Sequence, residues 1–222
     1  TYHFEARDQM ASYLSTVHVG DYQRFESKSA EGIPIQNYFP PDLVEESQRD
    51  FARVPEMMSF LSDKFGAYPF ETYGNIVMDA NLGGAAALET QTLPLYDRGM
   101  VTGNQRMDRV LVHELAHHWF GNSVSPGDWK DIWLNEGLAE RMERRSRNFA
   151  ASTRSERISL RTRIQAGDWI PLRAIAPSFS GLSDEDARAA YLESVIATAY
   201  IEEHTSKQQR SQILKRLGDG FS

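Results

Sequence analysis

The chain has 222 residues, 41% hydrophobic and 25% charged, with 24 Lys and Arg against 31 Asp and Glu, giving a formal net charge of −7. These values are ordinary for a globular protein and exclude a disordered, collagen-like or coiled-coil chain, and the acidic balance argues against nucleic acid as a partner. Cysteine is absent, so disulfides, thiolate metal sites and cysteine nucleophiles are excluded, and no window approaches the roughly 18 uninterrupted apolar residues of a membrane span.

At about 100–200 residues per domain, this length makes one large domain or one and a half. The chain opens on Thr1 with no basic-then-apolar leader, as expected of a piece of a longer protein. Residues 10–14 and 17–22 alternate in short bursts that read as strands. Glu31-Gly32-Ile33-Pro34 is a seam, and Pro40-Pro41-Asp42 starts a helix. From 43 to 65, Phe51, Val54, Met58 and Leu61 keep a helical spacing that Gly66 ends. A short strand is expected at 75–78, and Gly83-Gly84 opens a small-residue loop before Leu88-Glu89-Thr90-Gln91-Thr92.

Two helices follow. The first spans 104–120, with Thr102 or Asn104 as its cap and Gly121-Asn122 as its stop. The second spans 132–149, beyond a loop containing Ser125-Pro126-Gly127. On the second, Glu140 with Arg144 and Glu143 with Arg147 form i,i+4 pairs that read as a solvated face. The stretch to 165 is polar without clear period. Residues 187–204 are helical again, with Tyr191, Val195, Ile196 and Ala199 on adjoining positions.

The chemistry lies in the pentad His113-Glu114-Leu115-Ala116-His117. Four residues of helix rise about 6 Å and return nearly to the same face, so both imidazoles can reach one ion. Glu114 points about 100° around the helix, misses the ion and stands as a base toward water. A catalytic zinc takes three protein ligands and leaves one position open. Glu136, in Asn135-Glu136-Gly137, follows His117 after 18 intervening residues. If the turn through Pro126-Gly127 brings the second helix back antiparallel, Glu136 completes a two-histidine, one-carboxylate site for which zinc is the default metal.

The run from His113 through His118-Trp119-Phe120-Gly121-Asn122, followed by Trp133-Leu134-Asn135-Glu136-Gly137, resembles the gluzincin aminopeptidases of peptidase family M1 over roughly residues 33–205. The resemblance implies an α+β fold, a thermolysin-like zincin catalytic domain with a small sheet packed on helices. It implies one Zn2+ per chain on His113, His117 and Glu136, with Glu114 as general base, and peptide substrates with a free amino terminus. In the family's G-A-M-E-N loop a glutamate binds the substrate ammonium. Ala86-Ala87-Leu88-Glu89-Thr90 is a degenerate match that assigns this role to Glu89, which alone would read as a loop carboxylate.

The family's oxyanion-stabilising tyrosine maps to Tyr191, 55 residues after Glu136, with Ser194 where the family usually has glycine. An ordinary half-buried aromatic is the other reading of Tyr191. Tyr200 is the runner-up, and looks more like a core aromatic. His118, Trp119 and Phe120 read as packing, Asp131 or Glu140 as carboxylates orienting the ligand imidazoles, and His3, His18 and His204 as surface or satisfied core histidines. The resemblance makes residues 1–30 the closing strands of an amino-terminal β domain and 31–222 the catalytic domain, with a later helical domain missing. Two other functions share these residues: an endopeptidase with the same zinc site, and a non-catalytic M1-like scaffold that binds peptides.

Overall fold

A five-stranded mixed sheet and seven helices, an α+β architecture, make up the described residues of the computed structural model: 5–80, 87–146, 152–167, 169, 171–172 and 182–219, without the side chains of 152–156 and 184. The expectations for His3, Gly83, Gly84, Ala86 and Arg147 lie outside these residues. The sheet runs β1 (Gln23–Lys28), β2 (Pro34–Phe39), β3 (Tyr73–Val77), β5 (Leu95–Tyr96), β4 (Ala87–Leu88) in spatial order. β1 pairs antiparallel with β2 across the Glu31–Pro34 turn, placing Gln23 opposite Phe39. β2, β3 and β5 are parallel, with Ile35 opposite Tyr73 and Ile76 opposite Leu95, and β4 closes the far edge antiparallel to β5.

Parallel neighbours need a crossover. Between β2 and β3 it is made by α1 (Val44–Asp50) and α2 (Val54–Phe65). The apolar spacing at 43–65 does mark a buried face: Phe51, Val54, Met58 and Leu61 all lie in the core with Phe39, Tyr96 and Leu115. The helix is broken at 51–53, however. Pro55 has no N–H to return to the Phe51 carbonyl, which accepts from the Val54 N–H instead at 3.2 Å.

The alternating stretches near the start do not form strands. Gln23 already pairs with Phe39, the last residue of β2, so residues 17–22 have no strand opposite them, and Val17 and Val19 stand exposed. Residues 12–14 make a short 3-10 turn that buries Leu14, whose carbonyl accepts from the Gln91 N–H at 3.2 Å.

The first of the two key helices, α3 (Asp108–Ala116), begins four residues later than its sequence signals. The buried carboxylate of Asp50 takes the N–H groups of Thr102, Gly103 and Gln105 at 2.8, 2.8 and 2.6 Å and holds that stretch as a loop, with Gln105 at φ 60°. Thr102 and Asn104 bond each other and do not cap the helix. The second, α4, spans Ile132–Arg145. The polar stretch beyond it contains α5 (Ser152–Ala166), then α6 (Asp184–His204), capped by Ser183, and α7 (Lys207–Gly218), opened by a reciprocal Ser206–Gln209 cap. No helix among the described residues is long and apolar enough to cross a membrane.

α6 lies directly on α4 at Gly137. A Cβ there would sit 2.7 Å from the Ser194 carbonyl oxygen, and the Thr198 hydroxyl lies 2.9 Å from the Gly137 carbonyl. This close approach brings Tyr191 over Glu136. Gly137→Ala is therefore expected to destabilise the fold by about 1–3 kcal/mol through overpacking against backbone that cannot give way, a loss that chemical denaturation would measure.

Candidate metal centre

α3 and α4 run antiparallel, since Arg109 meets Glu143 at one end and His117 meets Glu136 at the other. His113 and His117 stand one turn apart with ring centroids 4.9 Å from each other. Glu136 reaches between them: its Oε2 lies 3.4 Å from His113 Nε2 and its Oε1 3.8 Å from His117 Nε2. One ligand atom from each of the three side chains falls within 4.8 Å of the other two. The structure thus brings His113, His117 and Glu136 to one point.

The wide turn after His117 sets the orientation of that ring. Gly121 takes φ 124°, a conformation that disfavours any side chain, and the chain folds back so that the Phe120 carbonyl lies 3.1 Å from His117 Nδ1. A proton on Nδ1 then donates to this carbonyl and leaves the Nε2 lone pair facing Glu136. His113 Nδ1 faces Glu143 Oε2 at 3.5 Å, and Glu140 Oε2 at 3.9 Å. Glu143 is held in place by Arg109, and Glu140 by Arg144 at 2.6 and 2.8 Å.

These carboxylates correct two readings. Glu143 is buried against His113 and is no part of a solvated face, and Glu140 is half-buried beside it. Asp131 is exposed at the start of α4 and orients neither imidazole.

Electrostatically, the centre favours a positive charge. Burial pushes the Glu136 carboxyl up, but His117, His113 and the Tyr191 hydroxyl outweigh it and hold the group at about 2. Burial would lower His113, yet Glu136 and Glu143 hold it well above its ordinary value. Burial raises Glu114, His113 offsets part of this, and Glu89, Glu136 and Glu143 add to it, so that carboxyl sits at about 8. Two imidazoles and one carboxylate, without thiolate, suit zinc, and carboxylates behind His113 are the usual support of such a ligand.

Tyr191 is half-buried, and its hydroxyl donates to Glu136 Oε2 at 3.3 Å. Burial and the Glu136 charge raise its phenol above the ordinary value. Tyr200, by contrast, is 60% exposed and stacks on His204, so it is not a core aromatic. Glu89 is half-buried in the loop after β4, and its charge acts on both Glu114 and Tyr13.

Tyr13 went unforeseen: its hydroxyl donates to the Gly121 carbonyl at 3.1 Å, and its ring meets Trp129 edge-on at 5.0 Å. No local pattern could have found it, because its partner lies more than a hundred residues away. His118 is fully buried among Tyr68, Phe70 and Tyr73, in keeping with a packing role, but it also accepts from the Thr92 N–H.

Comparison with known proteins points to one family. The profile of the peptidase family M1 domain matches residues 50–168. Aminopeptidase N of Mus musculus is 30% identical over 163 residues, which cover 68% of this chain and 17% of that protein. Endoplasmic reticulum aminopeptidase 2 of Homo sapiens is 31% identical over 149 residues, 64% of this chain and 16% of that one. The crystal structure of an M1 zinc metallopeptidase from Deinococcus radiodurans superposes with a TM-score of 0.61 at 25% identity, covering 91% of this chain and 45% of that chain. The chain therefore spans about a sixth of the length of the curated relatives it matches.

Proposed function

Because this chain belongs to peptidase family M1, we propose that it carries the hydrolytic centre of a zinc-dependent aminopeptidase. The observation that carries this reading is the meeting of His113, His117 and Glu136 beside the buried carboxyl of Glu114. In this reading those three side chains hold one zinc ion. When bound, zinc supplies a Lewis acid that polarises the scissile carbonyl and makes a water more acidic.

The chain's own residues do the rest. Burial raises the Glu114 carboxyl above its ordinary value, the direction that suits a group that must both accept and release a proton near neutral pH. Glu114 takes the proton of the attacking water and passes it to the leaving amine. The Tyr191 phenol, kept protonated by burial and by Glu136, donates a hydrogen bond to the oxygen that gains charge as the carbonyl is attacked. Glu89 receives the substrate ammonium, and the reach of its charge to Glu114 and Tyr13 supports a place beside the reacting bond. Glu143, set by Arg109, steadies His113.

Since the chain spans only a sixth of its curated relatives, we read the mature active cleft as completed by flanking domains of a longer protein. The close of an amino-terminal domain is then the stretch before β1, with Tyr13 its contact to the turn after His117, while β1 (Gln23–Lys28) pairs with β2 and belongs to the catalytic sheet.

The test is one peptide with a free and with an acetylated amino terminus. The free form should be cleaved at least about 100-fold more efficiently, because a site built to bond an ammonium rejects an analogue that lacks it. Glu89→Ala should collapse that preference while zinc stays bound. Equal cleavage of both forms would instead favour an endopeptidase using the same centre, and cleavage of neither by the zinc-loaded protein would favour a peptide-binding scaffold.

A further inference from the structure

The loop that bears Glu89 is fastened to the metal-bearing helix at two points. Asn122 Nδ2 donates to the Glu89 carbonyl at 2.7 Å, and the Thr92 N–H donates to His118 Nε2 at 3.0 Å. Both side chains are buried, His118 completely. Both belong to the turn that continues from His117. The Asn122 N–H donates to the His117 carbonyl at 3.0 Å, and His118 Nδ1 lies 3.2 Å from the Glu114 carbonyl. His118 thus has one nitrogen on the backbone of the candidate base and the other on the loop. Since its Nε2 accepts from Thr92, Nδ1 carries the proton and donates to Glu114.

The loop itself is bent to suit these anchors. Thr92 sits at φ 62°, a region that β-branched residues avoid unless the surroundings impose it. The Thr90 hydroxyl donates to the Leu93 carbonyl at 2.5 Å, folding the loop on itself across the Thr92 anchor. Burial obliges both side chains to find hydrogen-bond partners, and the partners they take are the backbone of Glu89 and of Thr92, three residues on.

We propose that His118 and Asn122 are positioning residues that fix the Glu89 carboxylate at a set distance from the His113–His117–Glu136 centre, and so determine how strongly the enzyme demands a free amino terminus. This rests on Glu89 being the ammonium acceptor. The distance between ammonium and scissile carbonyl is constant in every amino-terminal residue, so a rigid spacing between the two sites selects for the first peptide bond. A misplacement of about 1 Å costs on the order of 100-fold.

The experiment measures kcat and KM for the free and acetylated forms of one peptide, together with bound zinc, in the wild type and in Asn122→Ala, His118→Phe, His118→Gln and Glu89→Ala. Phe keeps the ring packing and removes the acceptor. Gln restores an acceptor for the Thr92 N–H. The expected result is full zinc binding throughout, and a preference for the free form that falls roughly 10- to 100-fold in Asn122→Ala and His118→Phe. The loss should show mainly as higher KM for the free form, with recovery in His118→Gln.

An unchanged preference in both Asn122→Ala and His118→Phe, with Glu89→Ala still losing it, would overturn the positioning role and leave the Glu89 assignment standing. Equal losses on both peptide forms, or loss of zinc, would make these residues merely structural and also overturn it. A wild type without preference would remove the Glu89 assignment, and the proposal with it. If Asn122→Ala does not fold, the His118→Phe and His118→Gln pair decides alone.

Discussion

Glu114→Gln is expected to leave zinc bound and to cut peptide hydrolysis by about 1,000-fold, within the range that a positioned general base contributes. The amide keeps the volume and one acceptor of the carboxyl but cannot hold a proton and hand it on. The variant should also fold normally. Glu114 is a buried carboxyl that its surroundings push up to about 8, so replacing it with a neutral group removes a cost, and the variant should be at least as stable as the wild type without metal. Steady-state rates, zinc content and a melting curve check all three statements. Near-normal turnover would remove Glu114 from the mechanism, while loss of zinc would mean that it holds the metal.

Tyr191→Phe is expected to lower kcat by about 100- to 1,000-fold, the effect of losing one donor aimed at a developing oxyanion, with KM for the same peptide nearly unchanged. The substitution removes one oxygen and leaves the close α4–α6 approach at Gly137 and Ser194 untouched, so the fold should be unaffected. The bond from Tyr191 to Glu136 in the structure, at 3.3 Å, puts the hydroxyl at the centre even without substrate. A variant that raised KM and left kcat intact would assign Tyr191 to substrate binding.

The sequence makes some of this centre plain and hides the rest, for physical reasons. His113 and His117 are legible because the helical period alone puts i and i+4 on one face. Glu136 needs a second helix to return antiparallel, and a turn through Pro126-Gly127 allows that without requiring it. Glu143 lies seven residues beyond Glu136, two turns along the same face, and that spacing was the available signal. The surface couple with Arg147 that the sequence suggests gives way to Arg109, which arrives from α3 and only meets Glu143 once the helices have packed. The start of α3 escaped for a similar reason, since the carboxylate that holds residues 102–105 in a loop comes from Asp50, about fifty residues upstream.

The Glu89 loop shows the opposite case. The role proposed for Glu89 is invisible in composition or period and enters only through resemblance to the family. What ties it to the turn after His117, Asn122 and His118, reads in sequence as a helix stop and a packing residue. The breaks at 51–53 and the unpaired stretch at 17–22 are of another kind: Pro55 and the end of β2 at Phe39 decide them, and only the first of these could be seen in advance.

An anomalous-difference map from crystals of the zinc-loaded protein tests the central claim most directly. The account predicts a single strong peak within bonding distance of His113 Nε2, His117 Nε2 and a Glu136 carboxylate oxygen, about 2.0–2.2 Å from each. A peak instead among His113 Nδ1, Glu140 and Glu143, the other His/Glu grouping beside α3, or no peak at any of these residues, would contradict it.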